Sequence, residues 1–185
     1  MVRFEVSNEF RLGCLRPLLE KDVPGMLEWM HDDGVNAMFQ IDFAAVDEHR
    51  ALSFIESSRQ SSNSLHLAIV DMDDDYLGTI SLKNIDAETG CAEYAIATRR
   101  IAHGTGIAMR ATQELLCYAF SVLGLRRVWL NVIVDNKRAR RFYEKLGFIY
   151  EGLAREAIII SGQAVDLAYY SILSHEWNGA SNKLQ

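Results

Sequence analysis

The sequence predicts an α+β domain built on a mixed β-sheet. Three alternating segments with short polar links, at residues 65–97, are typical of an antiparallel meander. A glycine turn and a long apolar-periodic helix follow and lead to another strand-like run, so the strands flanking that helix should be parallel. No repeat or linker divides the 185 residues. We therefore expect one domain over residues 1–185, with a core at about residues 10–173 and a polar C-terminal tail.

The first half of the chain should hold one strand and two helices. Residues 10–16 alternate weakly and predict a strand that Pro17 ends or that has Pro17 at its edge. A helix should start near Asp22, with Pro24 in its first turn, and stop at residues 32–34. Residues 35–43 are apolar but irregular, which fits core packing or a substrate-side wall. Asp47 should begin the second helix, which fades into a polar loop at residues 57–64.

The second half should hold six strands and two helices. The meander strands are predicted at residues 65–70, 76–82 and 91–97, with turns at 71–75 and 86–90. The long helix should begin at Ile107 and end before Gly124, which suits the position just past a helix. A strand at residues 127–134 comes next. A short helix, capped by Asn136 and stopped by Gly147, then precedes strands at 148–156 and 165–173, which join through residues 161–162.

Charge is distributed unevenly along the chain. The net charge is −6, but residues 1–98 carry 7 basic and 18 acidic side chains, whereas residues 99–185 carry 12 basic and 7 acidic ones. An acidic protein is a poor nucleic-acid binder, so no nucleic-acid partner is expected. The basic half could receive a phosphorylated cofactor while the acidic half faces a cationic substrate. Uneven charge that serves only solubility explains the pattern equally well.

The composition also indicates the cellular compartment and whether the chain associates with a membrane. Hydrophobic residues make up 49% of the chain, enough for a core. No apolar run reaches the roughly 18 residues of a membrane span, and the N-terminus lacks the apolar region of a secretory signal. The three isolated cysteines, Cys14, Cys91 and Cys117, fit reduced thiols better than a disulfide framework, and they show no metal-ligand spacing. We therefore expect a cytoplasmic protein with no membrane partner and no metal.

The glycine turn is the first candidate binding site. Residues 99–123 read RRIAHGTGIAMRATQELLCYAFSVL, and Gly104 and Gly106 precede the helix that Ile107 opens. A strand, a glycine loop and a helix N-terminus can hold an anion, because glycines let backbone N–H groups turn outward and the helix dipole favours negative charge. This arrangement predicts a site for the pyrophosphate of a nucleotide-like cofactor. A tight strand-to-helix turn with no ligand is the plain alternative.

A second distinctive stretch strengthens the prediction of a cofactor site at the glycine turn. Residues 136–148 read NKRARRFYEKLGF, and residues 103–108 read HGTGIA. Together they resemble the GNAT family of N-acetyltransferases, in which Gln/Arg-x-x-Gly-x-Gly/Ala binds acetyl-CoA and an Asn followed by Phe-Tyr-x-x-x-Gly-Phe comes after the next strand. The resemblance covers roughly residues 10–173. It is closer to the subgroup with ribosomal-protein N-terminal acetyltransferases and bacterial amino-sugar and polyamine acetyltransferases.

The resemblance implies a fold, a reaction and a donor. The fold would be a mixed central sheet of about seven strands, splayed between the fourth and fifth strands and flanked by about four helices. The reaction would be direct transfer of an acetyl group from acetyl-CoA, the acyl-donor substrate, to a primary amine. That acceptor would be a small molecule or a peptide: a protein N-terminus, an amino sugar, a polyamine or another small amine.

The resemblance also implies roles for particular residues. Tyr143 would be the general acid on the leaving thiolate, and Glu93 a base that acts directly or through water. A backbone amide near Ala95 to Ala97 would polarise the thioester carbonyl. The residues expected to bind the cofactor are Ala95, Ile96, Ala97, His103, Gly104, Thr105, Gly106, Ile107, Ala108, Asn131, Asn136, Lys137 and Arg138.

Each of these assignments has a plain alternative. Tyr143 could be a core aromatic residue, Glu93 a solvated strand carboxylate and Asn136 a helix cap, and Lys137 with Arg138 part of a solvated basic face. His103 stands where the family usually has Gln or Arg. It could add a charge-assisted contact to the pyrophosphate when protonated, or it could be an exposed loop histidine.

Two other functions stay open at this stage. A non-catalytic acyl-CoA-binding module could keep the same fold. A nucleotide-binding dehydrogenase fits less well, because the third glycine of its fingerprint is missing. Acceptor specificity should be determined by residues 29–43 and 157–163. Three aspartates in the first range suggest a cationic acceptor, or serve only as turn and cap residues: Asp32, Asp33 and Asp42. The final strands offer an edge that could pair with a second copy, which leaves a homodimer as a hypothesis.

Overall fold

The computed structural model describes residues 9–36, 39 and 43–177. Most of the apolar segment predicted at residues 35–43 lies outside the described residues, and so does Asp42. The tail from residue 178 onward also lies outside them.

The sheet has seven strands in the order β1-β2-β3-β4-β5-β7-β6. All neighbours pair antiparallel except β4 and β5, which are parallel. The predicted meander and the predicted parallel pair are therefore confirmed. The strands are β1 Leu15–Pro17, β2 Leu65–Val70, β3 Tyr76–Asp86, β4 Cys91–Thr98, β5 Arg127–Ile133, β6 Ile149–Ile160 and β7 Gln163–Leu173. The edge strand β6 is where the sequence left pairing with a second copy open.

The described helices comprise the four predicted ones and one extra turn. They are α1 Val23–Met30, α2 Asp33–Asn36, α3 Glu48–Gln60, α4 Ile107–Ser121 and α5 Lys137–Lys145. The extra turn is α2, which begins where a stop was expected. It forms because the backbone oxygen of Asp32 accepts from the N–H groups of Val35 and Asn36, at 2.8 and 2.9 Å. Within the described ranges no helix is both long and apolar enough to cross a membrane.

Two details at the start of the chain differ from the prediction. The first strand is confined to Leu15–Pro17, because Gly13 turns the chain at a φ of 57° and breaks the earlier alternation. Asp22 does stand at the start of α1, but its side chain does not cap the helix. It is buried instead and accepts hydrogen bonds from the Arg16 guanidinium at 2.6 and 2.8 Å.

Alternation along the strands divides the core between the two faces of the sheet. Leu67, Ile80 and Leu130 pack with α4 and α5 on one face. Ala68 and Val70 pack with α1 and α3 on the other face. The sheet is therefore covered by helices on both sides.

The parallel pair is short. Its register contains Cys91↔Arg127, Ala92↔Val128 and Glu93↔Trp129. Beyond Glu93, β4 continues to Thr98 and β5 to Ile133 with no further ladder between them in the described part of the chain. This confirms the predicted splay between the fourth and fifth strands, and it leaves an opening at the centre of the sheet.

Candidate active site

A cleft of about 410 Å³ occupies the opening between β4 and β5. One wall is β4 from Glu93 to Thr98, the facing wall is the end of β5, and α5 lies across the far side. Gly34, Val35 and Phe39 line the cleft from the α2 side. Residues from several separate elements therefore converge on one concave surface, as ligand sites usually require.

A second cavity of about 550 Å³ adjoins the cleft at the head of α4. His103, Arg138 and Phe142 line both cavities, so the two form one continuous site. The residues that line only the second cavity are Ala102, Gly104, Gly106, Met109, Arg110, Gln113 and Lys145. Apart from Gly104 and Gly106, none of these was singled out from the sequence. Met109 and Gln113 are four residues apart on α4, and this helical spacing after the turn was the signal that could have found them. Lys145 lies on α5 and left no such signal.

The glycine turn has the backbone geometry that an anion site needs. Gly104 and Gly106 have φ values of 80° and 85°, and Gly106 stands at the N-cap of α4. A Cβ added at either position would meet nothing within 4 Å, so the conformation, and not crowding, requires glycine. The first N–H groups of α4 have no partner inside the helix, and that of Ile107 donates to Thr105 Oγ1 at 3.3 Å. The predicted anion-binding turn is supported by this geometry.

His103 is hydrogen-bonded to Arg138. The Nδ1 atom of His103 lies 3.2 Å from Nη1 of Arg138, so the ring accepts a hydrogen bond from the guanidinium. Burial, followed by the charge of Arg138, lowers the pKa of His103. The protonated contact suggested for His103 is therefore disfavoured, and the neutral ring accepts a hydrogen bond from Arg138 instead. Thr105, Ile107 and Lys137 were also expected to bind the cofactor, but they are not in the described lining of either cavity.

Ala95, Ile96 and Ala97 all line the cleft. They lie on β4 beyond its last residue pair with β5, so one edge of this strand faces the opening. Backbone groups along such an edge can pair with an extended ligand as a strand would. The structure therefore brings the three residues expected to hold the thioester to the place where an extended arm could lie.

Tyr143 projects from α5 into the cleft. Its ring is packed between Tyr94 and Phe148, with centroid distances of 6.1 and 6.0 Å. The hydroxyl makes no hydrogen bond to any residue that the structure describes, although the side chain is only 8% exposed. Burial raises the pKa of Tyr143 to about 12, so the phenol keeps its proton at neutral pH.

Asn136 caps a helix and also lines the cleft. Its Oδ1 accepts a hydrogen bond from the N–H of Ala139 at 3.0 Å and caps α5. The residue also lines the cleft, where its side-chain NH₂ group can donate to a ligand. Asn131, on β5 opposite Tyr169, lines the same cleft.

Glu93 is held by two neighbours on β3. Lys83 Nζ lies 2.6 Å from Oε1 of Glu93, and Asn84 Nδ2 donates to Oε2 at 3.0 Å. The Glu93 side chain is 15% exposed, so it is not the solvated carboxylate of the plain alternative. Lys83 lines the cleft too, and the sequence did not indicate it, because cross-strand register cannot be inferred from local pattern.

Ion pairs join the α1–α2 segment beside the cleft to the residues that precede the glycine turn. The Arg100 guanidinium donates to both carboxylate oxygens of Asp32, with Nε–Oδ2 at 2.8 Å, and lowers the pKa of Asp32. One helical turn earlier, Glu28 pairs with Arg99. Asp32 is therefore engaged inside the protein, which weakens the suggestion that it attracts a cationic acceptor. Asp33 is exposed at the start of α2.

Comparisons with known proteins agree with the sequence resemblance. A family model described as an acetyltransferase (GNAT) domain matches residues 13–149. The chain is 39% identical over 102 residues to YdaF of Bacillus subtilis, which is provisionally named a ribosomal N-acetyltransferase. That alignment covers 55% of this chain and 56% of YdaF, so the chain spans little more than half of that relative.

Two polyamine enzymes are also similar. The spermidine N(1)-acetyltransferase of Escherichia coli K12 is 29% identical over 168 residues, which is 88% of this chain and 87% of that protein. Among solved structures, spermidine N-acetyltransferase from Vibrio cholerae in complex with CoA and spermine superposes with a TM-score of 0.81. It covers 88% of this chain and 96% of that chain at 22% identity, a likeness of fold.

Proposed function

The chain belongs to the GNAT family of acetyltransferases, and from this premise we propose that it transfers the acetyl group of acetyl-CoA to a primary amine. The single observation that carries the proposal is the opening between β4 and β5 with the Tyr143 hydroxyl inside it. A module that only bound acyl-CoA would need the opening and the glycine turn, but not a protonated phenol facing them.

The proposed donor position follows the two connected cavities. The pyrophosphate of acetyl-CoA lies at the glycine turn, where N–H groups of α4 and the Arg138 guanidinium meet it. The pantetheine arm then runs along the free edge of β4. This brings the thioester to Ala95, Ile96 and Ala97, where a backbone N–H donates to the carbonyl oxygen.

The reaction is one nucleophilic substitution at the thioester carbon. The acceptor ammonium gives a proton to Glu93 or to water that Glu93 holds, and the neutral amine attacks the carbonyl carbon. The new C–N bond forms, and the attacking nitrogen loses its second proton to solvent. The C–S bond breaks, and the electron pair leaves on sulfur. Tyr143 donates its proton to that thiolate, and solvent returns a proton to the tyrosine. The products are an N-acetylated amine and CoA.

The acceptor class is a primary amine that reaches the cleft from the side of α2. Glu93 and Asp32 already have a cationic partner within the protein, whereas Asp33 is exposed at the start of α2. The relatives are named for two kinds of acceptor, ribosomal protein and spermidine. A fair panel therefore includes spermidine, peptides with a free N-terminal amine, amino sugars and simple monoamines.

The test is CoA release from acetyl-CoA in the presence of each amine, with the product identified by mass spectrometry. The proposal predicts turnover of at least one primary amine and no turnover of the matching N-methylated tertiary amine. Tight binding of CoA without turnover of any amine in the panel would contradict the proposal and favour the binding-module alternative.

A further inference from the structure

The carboxylate of Glu93 is held by two consecutive residues of one strand. Lys83 contacts Oε1 and Asn84 contacts Oε2. Consecutive residues of a regular strand point to opposite faces of a sheet, so both could not reach the same side chain from regular backbone. The contact therefore requires a departure from the strand pattern at this point of β3.

That departure is a β-bulge. Lys83 pairs with Glu93 and Asp86 pairs with Cys91, so Asn84 and Ile85 together oppose the single residue Ala92. Asn84 has a φ of 50°, in the left-handed region that asparagine tolerates better than most residues. Bulges re-aim side chains, often beside active sites. Here the bulge turns the Asn84 amide toward the carboxylate that Lys83 already binds.

We infer that Lys83 and Asn84 are positioning residues that fix the carboxylate of Glu93 toward the amine acceptor. This inference rests on the proposed function. Each carboxylate oxygen has two acceptor positions, so a donor on each oxygen leaves the remaining ones for the acceptor ammonium or a bridging water. With both oxygens bound, the carboxylate cannot rotate away from the cleft, and the geometry of proton removal is set before the acceptor arrives.

Lys83 has a second effect, on the acceptor itself. The charged and titratable groups that line the cleft are Lys83, Glu93, Tyr94, His103, Arg138 and Tyr143. An ammonium beside a bound acceptor ammonium disfavours the charged form, so Lys83 lowers the pKa of the bound amine. Lys83 thus favours the neutral amine that attacks the thioester, and an apolar replacement should move the acidic limb of the pH–rate profile to higher pH.

The experiment compares Lys83→Met, Lys83→Arg and Asn84→Gly with the wild-type enzyme. Glycine keeps the positive φ of the bulge but removes the amide, so Asn84→Gly tests the contact without straining the backbone. A matched control is Lys21→Met, which removes a lysine from an ion pair with Asp74 outside the cleft. Steady-state kinetics are measured with one accepted amine and acetyl-CoA across pH, together with thermal unfolding.

The inference predicts that Lys83→Met lowers kcat/KM for the amine about tenfold, because the Glu93 carboxylate is no longer held in position to remove the proton. The KM for acetyl-CoA should stay unchanged, and the acidic limb should move to higher pH. Lys83→Arg should restore most of the activity, Asn84→Gly should give a smaller loss, and Lys21→Met should behave as wild type. A Lys83→Met enzyme with wild-type kinetics and pH profile would overturn the inference alone. A wild type that turns over no amine would overturn the proposed function and this inference together.

Discussion

The ring of Tyr143 on α5 lies edge-on to the ring of Tyr94 on β4, with centroids 6.1 Å apart and planes at 85°. Tyr94 is the first residue of β4 beyond the last β4–β5 pair, so this contact fixes α5 against the start of the opening. The packing orients the phenol, while the hydroxyl is left for a ligand. The Tyr143 ring therefore packs in the core, and in our proposal its hydroxyl donates the proton in the reaction.

Replacing Tyr143 by Phe should lower kcat by roughly 100-fold, because proton donation to the leaving thiolate is lost. The KM values should change little, and the unfolding midpoint should stay near that of wild type since the ring is kept. Tyr118→Phe is a matched control on α4, where the ring packs against Phe10. Full turnover by the Tyr143→Phe enzyme would show that another group protonates the thiolate.

Replacing Gly106 by Ala should weaken acetyl-CoA binding. A side chain at a φ of 85° costs about 1–2 kcal/mol, and relaxation of the turn would misdirect the N–H groups of α4. Gly124→Ala is the control, since Gly124 has a φ of 67° and open space around it but lies at the other end of α4. Both variants should lose similar stability in urea, and Gly106→Ala alone should raise the Kd for CoA. Equal Kd values would argue against an anion site at the turn.

Replacing Arg138 by Ala should raise the Kd for CoA roughly tenfold, as expected for one hydrogen bond to a charged group. Lys137→Ala and Arg141→Ala should have smaller effects, because neither side chain is in the described lining of the two cavities. Titration with dephospho-CoA then locates the contact. If Arg138 binds the pyrophosphate, the loss persists with this ligand; if it binds the 3′-phosphate, the loss disappears.

His66 should make the protein less stable as the pH falls from about 6.5 toward 4. Burial, with a smaller contribution from Lys83, lowers the pKa of His66 to about 4. Between these values the unfolded chain binds a proton that the folded chain does not, so stability is full above pH 6.5 and is lost on acidification. At pH 5 the loss amounts to roughly 2 kcal/mol relative to pH 7. Urea unfolding at the two pH values should show this loss in wild type and much less of it in His66→Gln.

The features that the sequence predicted well are those set by near neighbours. The glycine turn, the Asn136 cap and the alternation of the meander strands depend on a few consecutive residues, and all of them appear in the structure. The parallel β4–β5 pair followed from the length of the crossover, which is also a local property.

The features that the sequence could not predict depend on register. Lys83 and Glu93 are ten residues apart and meet only because β3 and β4 pair as they do. Asp32 and Arg100 are 68 residues apart, and their ion pair is a role that neither interpretation of Asp32 from the sequence, acceptor contact or turn residue, included. The alternation pattern does not indicate the bulge at Asn84, because one added residue shifts the strand register without changing the composition.

The most direct test of the account is the position of the sulfur atom in a crystal structure of this protein with CoA. We expect the pantetheine arm between β4 and β5, with its sulfur in hydrogen-bonding reach of the Tyr143 hydroxyl and beside Ala95, Ile96 and Ala97. A CoA molecule bound outside this opening, or one whose sulfur lies away from Tyr143, would contradict the proposed mechanism.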